Sequence, residues 1–335
     1  MYPFVLYRKP GFQEPELIKL GEADSYHIPS TEQPVFVFAG FNAQARLHLF
    51  KAIEKKPASD IQILDRELKK ILPISSDGRL TAKKDFIALV EKALKQFDSS
   101  IFTKVVLSRK ASYPARDISY VATYYELCRR YPDAMVFMVC TPETGCWMGA
   151  TPERLLHGHE KTIASMSLAG TRLTLDPSGW GDKELNEQKI VTDYIIDIFK
   201  QKFGATDIQK KGPYEIQAGP VKHLRTDISG KVPSRPNMLT FALQLHPTPA
   251  VLGSHHSKAR EFITRFEGYD RRFYTGFFGF WNIEHADFFV NLRSMEVFHE
   301  HVELYAGAGI TADSNPEDEW RETELKMQTL LSVLV

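Results

Sequence analysis

Near its C-terminal end the chain carries Glu319, Glu322 and Lys326, whose spacings of three and four residues put them on one face of a helix. A hard cation such as Mg²⁺ prefers oxygen ligands and commonly takes only one or two carboxylates beside waters and substrate. Glu187 could complete such a site from a second helix; it falls on an apolar stripe, where a carboxylate is costly unless paired or metal-bound. Acidic residues dressing a helix N-terminus, with an ordinary Glu–Lys pair, would show the same spacing. Lys104 opens TKVVLSRK and shares a strand face with Val106 and Ser108. It is either a solvated surface residue or a base, the latter only where its site depresses its pKa. Glu153, in GATPERLL, is either a loop carboxylate or the matching acid, the two acting on opposite faces of a substrate. Arg293, in the otherwise apolar VNLRSMEV, is the natural planar partner of a carboxylate, from a ligand or from the protein. In YAGAGI (305–310), Gly307 and Gly309 let the backbone approach a ligand and can build an anion nest, although a plain strand-to-loop turn reads the same.

These residues must be positioned by strands and helices that alternate along the chain. FVLY (4–7), VFVFAGF (35–41), TKVVLSR (103–109) and MVFMVC (135–140) read as strands by their β-branched and aromatic content. TPETG (141–145) reads as a turn and CWMGA (146–150) as its hairpin partner. Residues 82–97 have helical spacing after a Thr81 cap, and 182–203 form a helix with the stripe Ile190, Val191, Tyr194, Ile195, Ile198. FFGFW (277–281), DFFVNLRSMEV (287–297) and HVELYAGAG (301–309) read as three late strands. Asn315 and Pro316 start a last helix running to about Val333. The Gly- and Pro-rich stretch 207–240 reads as loop, though not as a linker between domains. Runs of adjacent strands with intervening helices predict an α+β fold with helices outside antiparallel sheets.

Composition narrows the function classes. Lys+Arg and Asp+Glu are both 42 in 335 residues, which gives no support for a nucleic-acid or acidic-membrane partner. The three cysteines, Cys128, Cys140 and Cys146, contain no CxxC pair and argue against a disulfide framework or a thiolate zinc site. No signal peptide or membrane-spanning run is visible, so a reduced, cytoplasmic protein is expected. HExxH, GxSxG, P-loop and GxGxxG patterns are all missing.

Read jointly, TKVVLSRK (103–110), WMGATPERLL (147–156), SLAGTR (167–172), DKELNEQKIV (182–191), LHPTPAVLG (245–253), GYDRRFYTGFFGFW (268–281), VNLRS (290–294) and AGAGITADSNPEDEWRETELK (306–326) resemble the chorismate-utilising enzymes, in that family's order. The resemblance covers roughly residues 100–335. It implies an anthranilate/aminodeoxychorismate synthase-like fold: two stacked sheet subdomains, helices outside and the active site between them. Residues 1–95 look like a shortened N-terminal part and 96–335 like the chorismate-binding catalytic region, within one structural domain. It implies Mg²⁺ bridging a substrate carboxylate to Glu187 and Glu322, with Glu319 assisting. Arg293, the Ala306–Gly307–Gly309 segment and Lys326 would hold substrate carboxylates. Gly170 and Thr171 would make backbone and hydroxyl contacts, and His223 and Tyr274 would line the pocket.

Single positions imply the branch. Relatives that add ammonia typically carry Gln where Lys104 stands, so no glutaminase partner is expected. Aminodeoxychorismate synthases place a nucleophilic Lys where this chain has Ala169. Lys104 fits a water nucleophile, and Ala250 resembles the isochorismate rather than the salicylate branch. The resemblance therefore implies Mg²⁺-dependent conversion of chorismate to isochorismate, with Lys104 as general base and Glu153 as general acid, in a monomer or weak homodimer. The rival readings are a salicylate synthase, which would go on to eliminate pyruvate, and a catalytically silent chorismate-binding subunit. Menaquinone and siderophore biosynthesis are both open as destinations.

Overall fold

The computed structural model describes residues 2–24, 32–74, 80–97, 102–219, 221–234 and 237–335. Four strands come first: β1 (Phe4–Arg8), β2 (Glu16–Asp24), β3 (Val35–Ala39) and β4 (Leu47–Lys56). Three helices follow, α1 (Ala58–Ile61), α2 (Leu64–Ile71) and α3 (Lys83–Phe97), then β5 (Val105–Pro114) and α4 (Tyr120–Arg130). Next come β6 (Met135–Thr141), β7 (Gly145–Thr151), β8 (Arg154–His159), β9 (Thr162–Leu173) and α5 (Asp182–Gln201). β10 (Thr206–Ala218) and β11 (Val221–Lys231) lead to α6 (Met238–Leu245) and α7 (His256–Phe266). The chain ends with β12 (Phe277–Trp281), β13 (His285–Val290), β14 (Ser294–Val297), β15 (His301–Ile310) and α8 (Pro316–Leu331).

All 15 strands join one hydrogen-bonded ladder, in the order β10-β11-β9-β8-β13-β12-β3-β4-β2-β1-β6-β7-β14-β15-β5. The ladder folds back on itself. Phe137 of β6 and Phe278 of β12 are separated by four intervening strands, yet their ring centroids are 4.2 Å apart. An aromatic core that includes Phe36, Phe38, Phe50, Trp147 and Phe273 fills the space between the two layers. The two stacked sheets expected from the resemblance are thus halves of one continuous ladder, and β1–β4 form its middle.

The helices cover the outer faces, giving the expected α+β architecture. On one half α5 and α6 bury Val191, Ile195, Phe199, Leu239 and Ala242 against Ile163, Ile228 and Phe288. On the other, α2, α4 and α8 bury Leu68, Tyr124, Leu127, Met327 and Leu330 against Val136, Met148 and Leu304. α3 and α7 close the end at β5 and β15 through Phe86, Val90, Phe262 and Ile263.

Three sequence expectations are corrected. The single strand 287–297 is two, β13 and β14, which belong to opposite halves of the ladder. Asn291–Arg293 is the crossover, with Arg293 in the left-handed region at φ 48°; Ala150 N donates to Arg293 O and the Asn291 side chain donates to Phe273 O. The supposed loop 207–240 contains the long antiparallel pair β10–β11. β10 is an edge strand, and its Gly212–Pro213 falls where the register shifts between Lys211 and Tyr214, so proline removes no ladder bond that matters. Thr81 does not act as the expected cap: its hydroxyl accepts from Lys110 N. Asn315 does cap α8, accepting from the backbone N–H of Glu317 and Asp318.

Candidate active site

The ends of β5, β7, β9 and β15, the Asn291–Arg293 crossover and the facing sides of α5 and α8 enclose a cleft of about 730 Å³. It is lined by Lys104, Glu153, Gly170, Thr171, Glu187, His223, Ala250, Tyr274, Arg293, Ala306, Gly307, Gly309, Glu322 and Lys326. Residues more than 200 positions apart in sequence therefore converge, and of the side chains singled out from the sequence only Glu319 is not part of the lining.

Lys104 and Glu153 are each 2% exposed and face one another electrostatically. Burial drives the Glu153 carboxyl up to about 8, and Lys104 only partly offsets this. At neutral pH Glu153 therefore holds a proton it can donate. Lys104 immediately precedes β5; its backbone is held by Ser254 Oγ at 2.9 Å, and its side chain runs past Gly309. A Cβ at position 309 would stand 3.1 Å from Lys104 Cε and 2.7 Å from Glu187 Oε1, so glycine is what lets β15 pass under both groups.

Arg293 has no carboxylate partner among the described residues. Its guanidinium donates instead to His223 Nε2 (3.1 Å), Thr329 Oγ1 (3.2 Å) and the carbonyl of Lys326 (3.4 Å). His223 is buried and pushed down to about 3, first by burial and then by Arg293, so its ring is neutral. Its Nδ1 bonds to Gly170 O at 2.6 Å, which leaves Nε2 as acceptor toward the guanidinium. Thr171 Oγ1 lies 3.5 Å from the same Nδ1. The arrangement is a desolvated cation, fixed by neutral groups and open to the cleft, which suits an incoming carboxylate. Lys326 adds a second cation, bonded to Gly307 O (2.7 Å) and Glu322 Oε1 (2.5 Å).

The three carboxylates expected to hold a metal are not gathered into a cage: among the described residues no three His, Cys, Asp or Glu side chains converge. Glu187, one turn into α5, is buried, and its Oε1 has no hydrogen-bond partner. Burial raises its pKa, Lys104 lowers it and Glu322 raises it. Burial also opposes ionisation of Glu322, but Lys326, by charge and hydrogen bond, together with Lys183 keeps that carboxyl below its ordinary range. Glu319 is buried too, and turns its Oε1 onto Lys183 Nζ at 2.9 Å rather than into the cleft. An orphaned buried carboxylate oxygen beside a second, ionised carboxylate is the donor chemistry a hard divalent cation takes. Glu187 and Glu322 therefore fit Mg²⁺, and Glu319 fits only after release from Lys183.

Sequence reasoning missed Lys183, although it stands one helical turn before Glu187 within DKELNEQKIV. It also missed Tyr305 and Thr275, which line the cleft, and Thr329, which sits 36 residues from the Arg293 it supports. No helix among the described residues is long and apolar enough to cross a membrane.

A family model described as "Chorismate binding enzyme" matches residues 31–335. The isochorismate synthase EntC of Escherichia coli (strain K12) is 32% identical over 218 residues, covering 62% of this chain and 56% of its own. The salicylate biosynthesis isochorismate synthase of Pseudomonas aeruginosa is 27% identical over 326 residues, covering 92% and 64%. The match thus spans less than two thirds of either relative. Among solved structures, that of MenF, the menaquinone-specific isochorismate synthase of Escherichia coli, superposes with a TM-score of 0.81 at 22% identity, over 100% of this chain and 89% of its own. That likeness establishes the fold.

Proposed function

The chain belongs to the chorismate-binding enzyme family, and from that premise we propose that it is an isochorismate synthase acting on chorismate with Mg²⁺. The observation that carries the reading is the pairing, in one cleft, of a buried carboxyl that keeps its proton up to about pH 8 with a lysine whose amino group forms no hydrogen bond or ion pair among the described residues. In this reading the amine of Lys104 takes a proton from a water molecule adding at C2 of the ring. Glu153 gives its proton to the hydroxyl leaving C4, and the ring double bonds shift between the two centres. The proton gained by lysine and the one lost by glutamate balance, so the net reaction is an isomerisation. Arg293, steadied by neutral His223, and Lys326, beside Gly307, hold substrate carboxylates; Tyr274, Thr171 and the backbone at Gly170 and Ala306 shape the cavity around them. Ala250 lines the same cleft. Glu187 and Glu322, with Glu319 assisting, would hold Mg²⁺, which when bound neutralises the carboxylate next to the reacting carbon. Residues 96–335 would then carry the chemistry and 1–95 complete the sheet.

The test is incubation of the pure protein with chorismate and Mg²⁺, with products separated by chromatography. Isochorismate without pyruvate, lost on adding EDTA and restored by excess Mg²⁺, is the expected outcome. Salicylate with pyruvate would move the protein to the lyase branch.

The acid role has its own signature. Because the carboxyl must be protonated to act, kcat is expected to be flat through neutrality and to fall as pH rises through about 8. The residual activity of Glu153→Gln should lack that alkaline limb. A limb that persists in the variant would assign it to another group.

A further inference from the structure

Lys183 lies in the first turn of α5, one turn before Glu187, with about a third of its side chain exposed (33%). Its ammonium donates to Glu319 Oε1 at 2.9 Å and also senses the charges of Glu187 and Glu322. Those three glutamates come from two helices that meet at the cleft, and the charge of Glu322 raises the cost of ionising Glu187 and Glu319. Glu319 is 2% exposed, and a carboxylate so placed is strongly destabilising without a cation beside it. Lys326 cannot serve, since it is committed to Glu322 and the Gly307 carbonyl.

We propose that Lys183 is a built-in counter-ion of this acidic trio, which holds Glu319 out of the cleft until a divalent cation displaces it, and so sets the affinity of the site. The inference rests on reading Glu187 and Glu322 as metal ligands. A cation between them would put two positive charges beside a third, and like charges at a few ångströms repel strongly where water is scarce. A lysine suits the part: it is a point charge on a flexible stem, and its partial exposure gives the ammonium water to move into. The same contact explains why the three carboxylates, although close enough to feel each other, do not converge.

The experiment is titration of the full chain with Mn²⁺, without substrate, reading free Mn²⁺ by electron paramagnetic resonance. Wild type is compared with Lys183→Gln, Lys183→Arg and Glu322→Gln. Lys183→Gln should bind Mn²⁺ about tenfold tighter or more, Lys183→Arg close to wild type, and Glu322→Gln weakly. Should the amide disturb the start of α5, Lys183→Met makes the same comparison. Wild-type binding that Lys183→Gln leaves unchanged or weakens overturns the displacement and makes Lys183 a support for Glu319 as ligand. Binding missing from wild type and Lys183→Gln alike overturns the metal-site reading itself, and the inference with it.

Discussion

Lys104→Ala is expected to lower kcat for isochorismate formation by about 10²–10⁴-fold, the range a positioned acid–base group supplies, while the protein melts close to wild type. The two halves of the expectation have separate causes. The chemistry is lost because no other amine takes the position: Lys326 is bonded to Glu322 and Gly307, and Lys183 to Glu319. The fold is kept because residue 104 contributes to it through its backbone. Lys104 N–H donates to Ser254 Oγ, Lys104 O accepts from Ser254 N, and Gly253 at φ 115° packs directly on that carbonyl, where a Cβ would come within 2.3 Å. Alanine preserves all of this, and removing the Lys104 side chain from beside Glu153 and Glu187 mainly shifts those carboxyls further toward their neutral forms. Steady-state kinetics and a thermal melt on the same preparation check both parts. A variant that turns over at the wild-type rate would remove Lys104 from the reaction.

Arg293→Met is expected to cost substrate capture rather than folding. Truncating one side of a desolvated, hydrogen-bonded charge pair typically costs about 2–5 kcal/mol, which predicts a fall in kcat/KM of roughly 30- to several-thousand-fold. In the free protein no carboxylate among the described residues forms an ion pair with the guanidinium; the charge of Glu322 reaches it only in part, and burial still outweighs it. Methionine fills similar volume without that penalty, and the variant should melt at the same temperature or higher. Such a trade, more stable and nearly unable to bind, would mark Arg293 as a residue kept for its ligand. Lower stability together with unimpaired kcat/KM would make it a structural tie between the His223 ring and α8.

The site was legible in sequence to the extent that chemistry depends on residue type and local spacing. Glu319, Glu322 and Lys326 could be put on one helical face from their intervals, and Asn315 with Pro316 announced where that helix starts. Glu187 was suspect because a carboxylate among Val191, Ile195 and Phe199 needs a reason to be there. Long-range partnership was not legible. Nothing near Glu319 in sequence says that a lysine 136 residues earlier will claim it. The break at Arg293 was hidden for a related reason: Phe288, Phe289, Val290 and Met295 read as one unbroken apolar strand, and only the need to pass from one half of the ladder to the other divides them. In β10 the opposite error arose, because glycine and proline weigh as loop signals although an edge strand tolerates both at a bulge.

The central place of β1–β4 in the ladder has a consequence in time. β3 pairs with β12, so Phe38 finds its partner Phe278 only after 240 further residues have been made, and β1 must wait for β6. On the ribosome, at about 5–20 residues per second, the edge of β1 therefore stays open until β6 emerges, and that of β3 until β12 does. Contacts so distant in sequence also slow refolding. The stage at which this protein is most exposed to association with other chains is thus its own synthesis, and it ends only when β12 closes onto β3.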